Sequence, residues 1–361
     1  MTRLAIVGDI FLTDPLPDES VFANVQTLIQ DADIGFGNLE APVSKRGQPV
    51  EKWINMRMAP DRLADVRTAG FDILTIANNH MMDYGLDAFY DTRKLLPEHG
   101  LAVVGAGDNL DEAWQPVILT TGEQKVAFLA AASTLGPGLA ASEYRPGVAP
   151  VHVSEAYNID FAASMEQPGS APYVQTRAWP EDVARAEQAV RDAKARADFV
   201  IIAMHWGVPP LWRSRFQDGL ADYQPVVGHR LAEAGADLVV GHHPHSLQTI
   251  EVYKGTPIFY SLGNFIFHHN RVGMRSTIIA RNVPYTIEVG RDRAWAESII
   301  LTVELAADGR MTCVMHPILL DSSGNPALLD GVEARSLIER LSQMSPEAEI
   351  DFLDGKGHLT F

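Results

Sequence analysis

Seven of the twelve histidines in this 361-residue chain stand where short apolar runs end: His80, His205, His242, His243, His245, His268 and His269. Asp9, Glu40 and Asn79 occupy matching positions after other runs. Imidazole and carboxylate without thiolate is a ligand set for Mn, Fe or Zn ions. The single cysteine, Cys313, can supply neither an internal disulfide nor a thiolate zinc site. His243-Pro244-His245 is a His-x-His pair. On extended backbone its two rings share a face and can grip one metal or two adjacent ones.

The runs that must position these groups share one design. Leu4-Ala5-Ile6-Val7 ends at Gly8-Asp9, and Pro257-Ile258-Phe259-Tyr260-Ser261-Leu262 ends at Gly263-Asn264. In four others an aspartate leads and the key polar residue follows six or seven positions later: Asp33 to Glu40, Asp72 to Asn79, Asp198 to His205, Asp237 to His243. That is one strand of about 20 Å. The leading aspartates lie at the opposite strand ends and read as turn and cap residues. Helical patterns over 20–31, 60–69, 86–99, 180–197 and 219–234 separate several of the runs, with Pro at starts and Gly at stops. Continuous apolar strands alternating with helices predict an α/β fold, whose ligands sit outside the carboxyl ends of the strands.

Residues 133–179 lack clear periodicity and read as an extended loop or lid over the site. Beyond residue 290, strand-like runs at Ser298–Leu305 and Met311–Leu320, a short helix at 332–343 and a polar tail form a C-terminal extension of a single 1–361 domain.

Composition excludes several classes. At 46% hydrophobic the chain is not a disordered tail. No apolar run approaches the roughly 20 residues of a membrane helix. The start, Met1 to Asp9, has too short an apolar stretch for a signal peptide, so the expectation is a cytoplasmic protein without membrane attachment. Twenty-nine Lys and Arg against 46 Asp and Glu give a net charge of −17, which argues against nucleic acid as the default partner. Phosphate chemistry stays open, because bound cations can supply positive charge locally. The expected partner is a small-molecule or polymer substrate, itself anionic.

The ordered series Gly8-Asp9, Asn38-Leu39-Glu40-Ala41-Pro42, Ala77-Asn78-Asn79-His80-Met81-Met82-Asp83-Tyr84-Gly85, His205-Trp206-Gly207, Gly241-His242-His243-Pro244-His245 and Tyr260-Ser261-Leu262-Gly263-Asn264-Phe265 resembles the CapA-type capsule-synthesis (poly-γ-glutamate biosynthesis) family. That family belongs to the calcineurin-like metallophosphoesterase superfamily, and the resemblance runs from about Leu4 to His268. It implies a four-layer α/β/β/α sandwich with two divalent metal ions. By the resemblance, Asp9 and His245 would hold the first ion. Glu40 would bridge, where the superfamily usually has Asp, and Asn79, His205 and His243 would hold the second. Two such cations, about 3.5–4 Å apart, generate a bridging hydroxide and clamp the attacking and leaving oxygens. His80 would be the general acid, with Asp83 orienting it.

Asn38 and His242 would support the site or complete its ligand shell. Trp53, Asn55, Arg57, Tyr144, Arg145, Trp206, His268 and His269 are candidates to shape the substrate pocket, although Arg57 also reads as a surface residue and the two histidines as loop residues. Two departures from the pattern stand out. The superfamily's opening Asp-x-His reads Asp9-Ile10-Phe11, and Val208-Pro209 replaces a Glu-bearing step after His-Trp-Gly. The leading expectation is a hydrolase of phosphate mono- or diesters. The same metal site would also serve an amide or ester hydrolase acting on a γ-glutamyl or aromatic small molecule, and a third reading is a non-catalytic polymer-binding protein.

Overall fold

Each leading aspartate clasps the strand beside its own. In the computed structural model, which describes residues 1–13, 20–52, 54–169, 172–207, 219–268 and 293–361, Asp33 accepts the N–H of Arg3 at 2.8 Å and Asp72 that of Gly35 at 2.9 Å. Asp198 accepts from Lys125 and Asp237 from Val200, both at 2.7 Å. Their carboxylates thus satisfy backbone donors at the starts of neighbouring parallel strands, which is a structural role.

Two sheets result. In the first, β1 (Thr2–Phe11), β2 (Ile34–Leu39), β3 (Ile73–Thr75) and β4 (Ala102–Val104) run parallel in that order. The free side of β1 is shared. Its first half pairs antiparallel with β16 (Glu297–Leu305), and its last residues pair parallel with β15 (Asn264–Phe267). Beyond β16 lie β17 (Met311–Leu320), β20 (Lys356–Thr360) and β19 (Glu349–Leu353), with β18 (Pro326–Leu328) beside β17. Residues after 296 therefore build the same sheet as the N-terminus. The polar tail is the hairpin β19–β20, whose alternating exposure explains its polarity.

The second sheet orders β6 (Val117–Thr121), β7 (Gln124–Ala132), β11 (Phe199–His205), β12 (Leu238–His242), β14 (Thr256–Phe259) and β13 (Ile250–Tyr253). The two sheets meet face to face, with Phe36 of β2 against Phe128 of β7 at 5.1 Å between ring centroids.

The outer faces carry helices. On the first sheet, Ile29 of α1 (Gln26–Gln30), Leu63 and Val66 of α2 (Arg62–Thr68), and Phe89 and Leu96 of α3 (Gly85–Glu98) join the core. On the second sheet, α6 (Pro180–Lys194) packs Val183, Ala186, Val190 and Ala193, and α7 (Tyr223–Ala234) packs Val227 and Leu231, against Leu129, Val200 and Ile202. The 3,4 spacing of those α6 residues makes one apolar stripe. Glu181 and Asp182 in its first turn and Arg191 and Lys194 in its last complement the helix dipole. The architecture is the four-layer α/β/β/α sandwich.

Short pieces complete the described chain: β5 (Ala106–Gly107) paired with β8 (Gly147–Val148), α4 (Leu110–Ala113) and α8 (Arg293–Ala296). The 133–179 stretch holds an antiparallel ribbon, β9 (Val153–Asn158) and β10 (Tyr173–Ala178), with α5 (Phe161–Glu166) between its strands. Most of β9 is exposed, so no buried face imposes a periodic pattern on it. Among the described residues no helix is long and apolar enough to cross a membrane.

Candidate metal centre

Strand register brings the polar residues together. Asp9 is the Cα partner of Asn38 on one side and of Asn264 on the other, and His205 is that of His242 across β11 and β12. The register slips on both sides of β1 next to Asp9, an irregularity that re-aims a side chain. Close backbone approach is built in. A Cβ on Gly8 would lie 1.8 Å from the Gly263 carbonyl oxygen, and one on Gly241 would lie 1.9 Å from that of Tyr260. Just past β12, His243 and His245 take left-handed backbone with φ of 97° and 56°. Non-glycine residues adopt that conformation at a cost, and such strain concentrates at functional sites.

Glu40 is the meeting point. One of its carboxylate oxygens lies 3.5 Å from His245 Nε2, 3.6 Å from His205 Nε2 and 3.9 Å from His80 Nε2. Two triads of ligand atoms, each mutually within 4.8 Å, share this residue: Asp9, Glu40, His245 and Glu40, His205, His243. Asn79 Oδ1 adds a further oxygen, 2.8 Å from His205 Nε2. Glu40 is fully buried, yet neither carboxylate oxygen makes a hydrogen bond among the described residues. Burial, reinforced by the nearby charge of Asp9, holds its pKa well above the carboxylate range. A buried, unsatisfied carboxylate is costly. A cation would remove that cost, so the residues present fit a metal centre.

The surrounding electrostatics agree. Burial first, then neighbouring imidazoles, push the pKa of His205 and of His243 well below the ordinary value, so both rings are neutral and carry a lone pair. Burial raises the Asp9 carboxyl, but hydrogen bonds and charge from His242 and His245 more than reverse this and keep it ionised. Supporting bonds fix the ligands. Asn38 Nδ2 donates to Asp9 Oδ1 at 2.8 Å, and Asn78 Nδ2 donates to Asn38 Oδ1 at 3.1 Å. His245 Nδ1 lies 2.9 Å from Asn264 Oδ1, which assigns the proton to Nδ1 and leaves Nε2 for Glu40's side. Phe267 and Trp295 wall His245 from solvent, at 4.9 and 4.6 Å between centroids.

His80 and Asp83 are joined at 2.6 Å through Nδ1 and Oδ2. Lys52, which the motif pattern does not single out, completes this group. Its Nζ donates to Asp83 Oδ1 and to the Asn79 carbonyl, both at 2.7 Å, and lies 3.3 Å from His80 Nδ1. Burial first, then the Lys52 charge, draw the His80 pKa below the usual histidine value, against the pull of Asp83. Lys52, Asn78 and Asn264 are thus contributors the motif reading left without a role. A lysine in a loop carries no spacing signal, whereas the two asparagines stood in recognised motifs.

Residues 3–269 match the family model described as bacterial capsule synthesis protein PGA_cap. The chain belongs to this capsule-synthesis family. It is 30% identical over 287 residues to the PGA biosynthesis protein CapA of Bacillus subtilis, covering 77% of this chain and 66% of that protein. To the capsule biosynthesis protein CapA of Bacillus anthracis it is 32% identical over 276 residues, covering 73% and 59%. The chain thus spans about three-fifths to two-thirds of these relatives' length. Among solved structures, a putative 5'-nucleotidase from Staphylococcus aureus aligns at 15% identity with a TM-score of 0.46, covering 94% of this chain and 58% of that one.

The remaining residues expected to shape the site are scattered. Trp206 is fully buried under α7, stacked on Tyr260, with its indole N–H donated to the Tyr260 carbonyl at 2.9 Å. It is core, not pocket wall, because the residue after His205 points to the opposite face of the strand's end. His268 is buried too. Its Nδ1 accepts the Thr13 N–H at 3.1 Å and its Nε2 faces Asn325 Oδ1 at 3.1 Å, which anchors the end of β15. Tyr144 is 87% exposed, and Arg145 is exposed and bound to the Ala140 carbonyl. Arg57 is exposed and lies over the Tyr84 ring. Asn55 Nδ2 donates to the Val50 carbonyl. His242 sits 3.4 Å from Asp9 through Nδ1 and belongs to neither triad. Trp53, His269 and Val208-Pro209 lie outside the described residues.

Proposed function

We propose that this chain is a dinuclear metal-dependent hydrolase that cleaves a phosphate mono- or diester. The observation that carries the reading is Glu40, buried, without a hydrogen bond, and common to two ligand triads. Asp9, Glu40 and His245 would hold one divalent ion (Mn, Fe or Zn), and Glu40, Asn79, His205 and His243 the other. When bound, such ions supply Lewis acidity and lower the pKa of water.

The chain's own groups do the rest. His80 Nε2 faces Glu40's side of the cleft, because Nδ1 is engaged by Asp83. There it can hand a proton to a leaving oxygen. Met56 N–H and Lys52 share Asp83 with His80, so the carboxylate keeps its position while the ring changes charge. Lys52 offers positive charge at the same end of the cleft, suited to an anionic substrate. The apolar wall of Phe267 and Trp295 excludes water from the His245 side.

A second reading keeps the site and changes the bond. The names of the Bacillus relatives concern polymer biosynthesis, which favours an amide or ester of a γ-glutamyl compound as the alternative substrate.

Purified protein supplemented with Mn²⁺ and assayed on bis(p-nitrophenyl) phosphate, p-nitrophenyl phosphate and γ-glutamyl p-nitroanilide separates the readings. Phosphoester cleavage lost on chelation, and reduced about a hundredfold or more in His80→Ala, supports the first. Anilide cleavage alone supports the second. Absence of bound transition metal by elemental analysis, together with no hydrolysis, overturns both.

A further inference from the structure

A cavity of about 300 Å³ is lined by Thr13, Ser44, Lys45, Arg57 and Ala59. Thr13 stands four residues after Asp9 and Ser44 four after Glu40, beyond the carboxyl ends of β1 and β2. Four residues of extended chain reach at most about 14 Å. The cavity wall is therefore within one small molecule's length of the metal centre, on the side of the sheet where ligands of α/β folds collect.

Its charge runs against the rest of the chain. In a protein of net charge −17, two cations line one small cavity. Arg57 is held in place: its guanidinium carbon lies 4.2 Å from the centroid of the Tyr84 ring, and the preceding Met56 N–H is fixed to Asp83 at 2.7 Å. Both contacts tie Arg57 to the turn that carries His80. Among the described residues no carboxylate pairs with Arg57. Among the described residues the ion-pair partner of Lys45 is Asp61 at 3.6 Å, with both side chains about 70% exposed, a pairing worth little in water. The Ser44 hydroxyl is committed to Asp91 at 2.5 Å and shapes the wall.

We propose that this cavity is an anion subsite that seats a second acidic group of the substrate, a carboxylate or a phosphate. It rests on the hydrolase reading for the place of the scissile bond. Arg57 supplies a pre-oriented fork for two parallel hydrogen bonds, and Lys45 a movable point charge. The volume is at the small end of ligand sites. It accommodates an acidic group with a short linker and no folded partner. The substrate class is thereby narrowed to molecules with two acidic groups, one at the metal centre and one here.

The test titrates the full-length chain, as purified and again after chelation, with tripolyphosphate and with a triglutamate peptide by calorimetry. At least one probe binds. Arg57→Gln weakens it about tenfold, Arg57→Lys less because charge survives without the fork, and Lys45→Gln by a smaller factor. Tripolyphosphate alone identifies a phosphate group, the peptide alone a carboxylate, and both together a general anion subsite. Binding of neither probe to the wild-type chain, or unchanged affinity in both Arg57 variants, overturns the proposal. The chelated arm needs neither metal nor turnover. Failure of the hydrolase reading would instead appear as absent hydrolysis while Arg57-dependent anion binding persists.

Discussion

His80 Nδ1 lies 2.6 Å from Asp83 Oδ2, and that bond decides which ring nitrogen faces the cleft. With the proton of the neutral ring held at Nδ1, Nε2 is the atom left to exchange protons on the side of Glu40. Asp83→Asn removes the charge that favours a protonated ring and offers an amide in its place. The expected result is a kcat lowered about ten- to a hundredfold with little change in KM. The loss should be larger for alkyl than for p-nitrophenyl esters, since the poorer leaving group depends more on a proton. Steady-state kinetics on the two ester types check this, and equal losses on both would remove His80 from leaving-group protonation.

Glu40→Gln should act in opposite directions with and without metal. In the metal-free chain the Glu40 pKa is raised by burial and by Asp9. Its protonated form is thus favoured by folding, and that contribution is lost as pH rises through the folded value. An uncharged glutamine escapes this loss. Chelated Glu40→Gln is expected to melt at or above chelated wild type at pH 8, whereas wild type regains the lead when Mn²⁺ is added, because only it binds both ions. Thermal melts in the two buffers read the crossover directly, and a variant less stable in both would show that Glu40 is satisfied without metal.

Much of this was legible because the chemistry sits at strand ends. The apolar runs at 34–39, 199–205 and 238–242 are continuous and marked by aspartates that the neighbouring strand needs. β7 carries no such mark. Its run Val126 to Ala132 has no leading aspartate and ends at Ser133-Thr134 with no ligand-type residue, so its place between β6 and β11 shows in the strand pairing. The same limit applies at the site. Glu40, His243 and His245 were readable as types at fixed offsets. Trp206 was misleading because its neighbour His205 faces the cleft while its own ring packs under α7. Lys52 reaches His80 across 28 positions through a loop, a contact no local pattern encodes.

His316 gives a pH dependence remote from the metal site. It is buried on β17 with Nε2 2.9 Å from Thr302 Oγ1, and burial, aided by Lys356 and Arg3, lowers its pKa from 6.5 to about 4. The unfolded chain therefore takes up a proton between pH 6.5 and 4 that the folded chain refuses. Stability is unaffected above this window, falls as pH drops through it, and levels off below. Denaturant unfolding at pH 7 and pH 4.5 should show wild type losing about 2 kcal/mol more than His316→Gln. Equal losses would place the titration elsewhere.

Gly8→Ala tests whether the metal centre depends on how closely β1 approaches the loop before β15. The new Cβ would fall 1.8 Å from the Gly263 carbonyl oxygen and 2.8 Å from its carbon, both backbone atoms with no rotamer to yield. That same carbonyl accepts the Asp9 N–H at 3.0 Å. Relief of the clash must push the loop away, breaking this bond and shifting Asn264, which holds His245. The expected cost is about 3 kcal/mol or more, as for other overpacked or strained core sites, together with weaker metal retention. Urea unfolding and elemental analysis of the same preparation measure both. Loss of stability with metal content intact would mean that Asp9 and His245 are held independently of this contact.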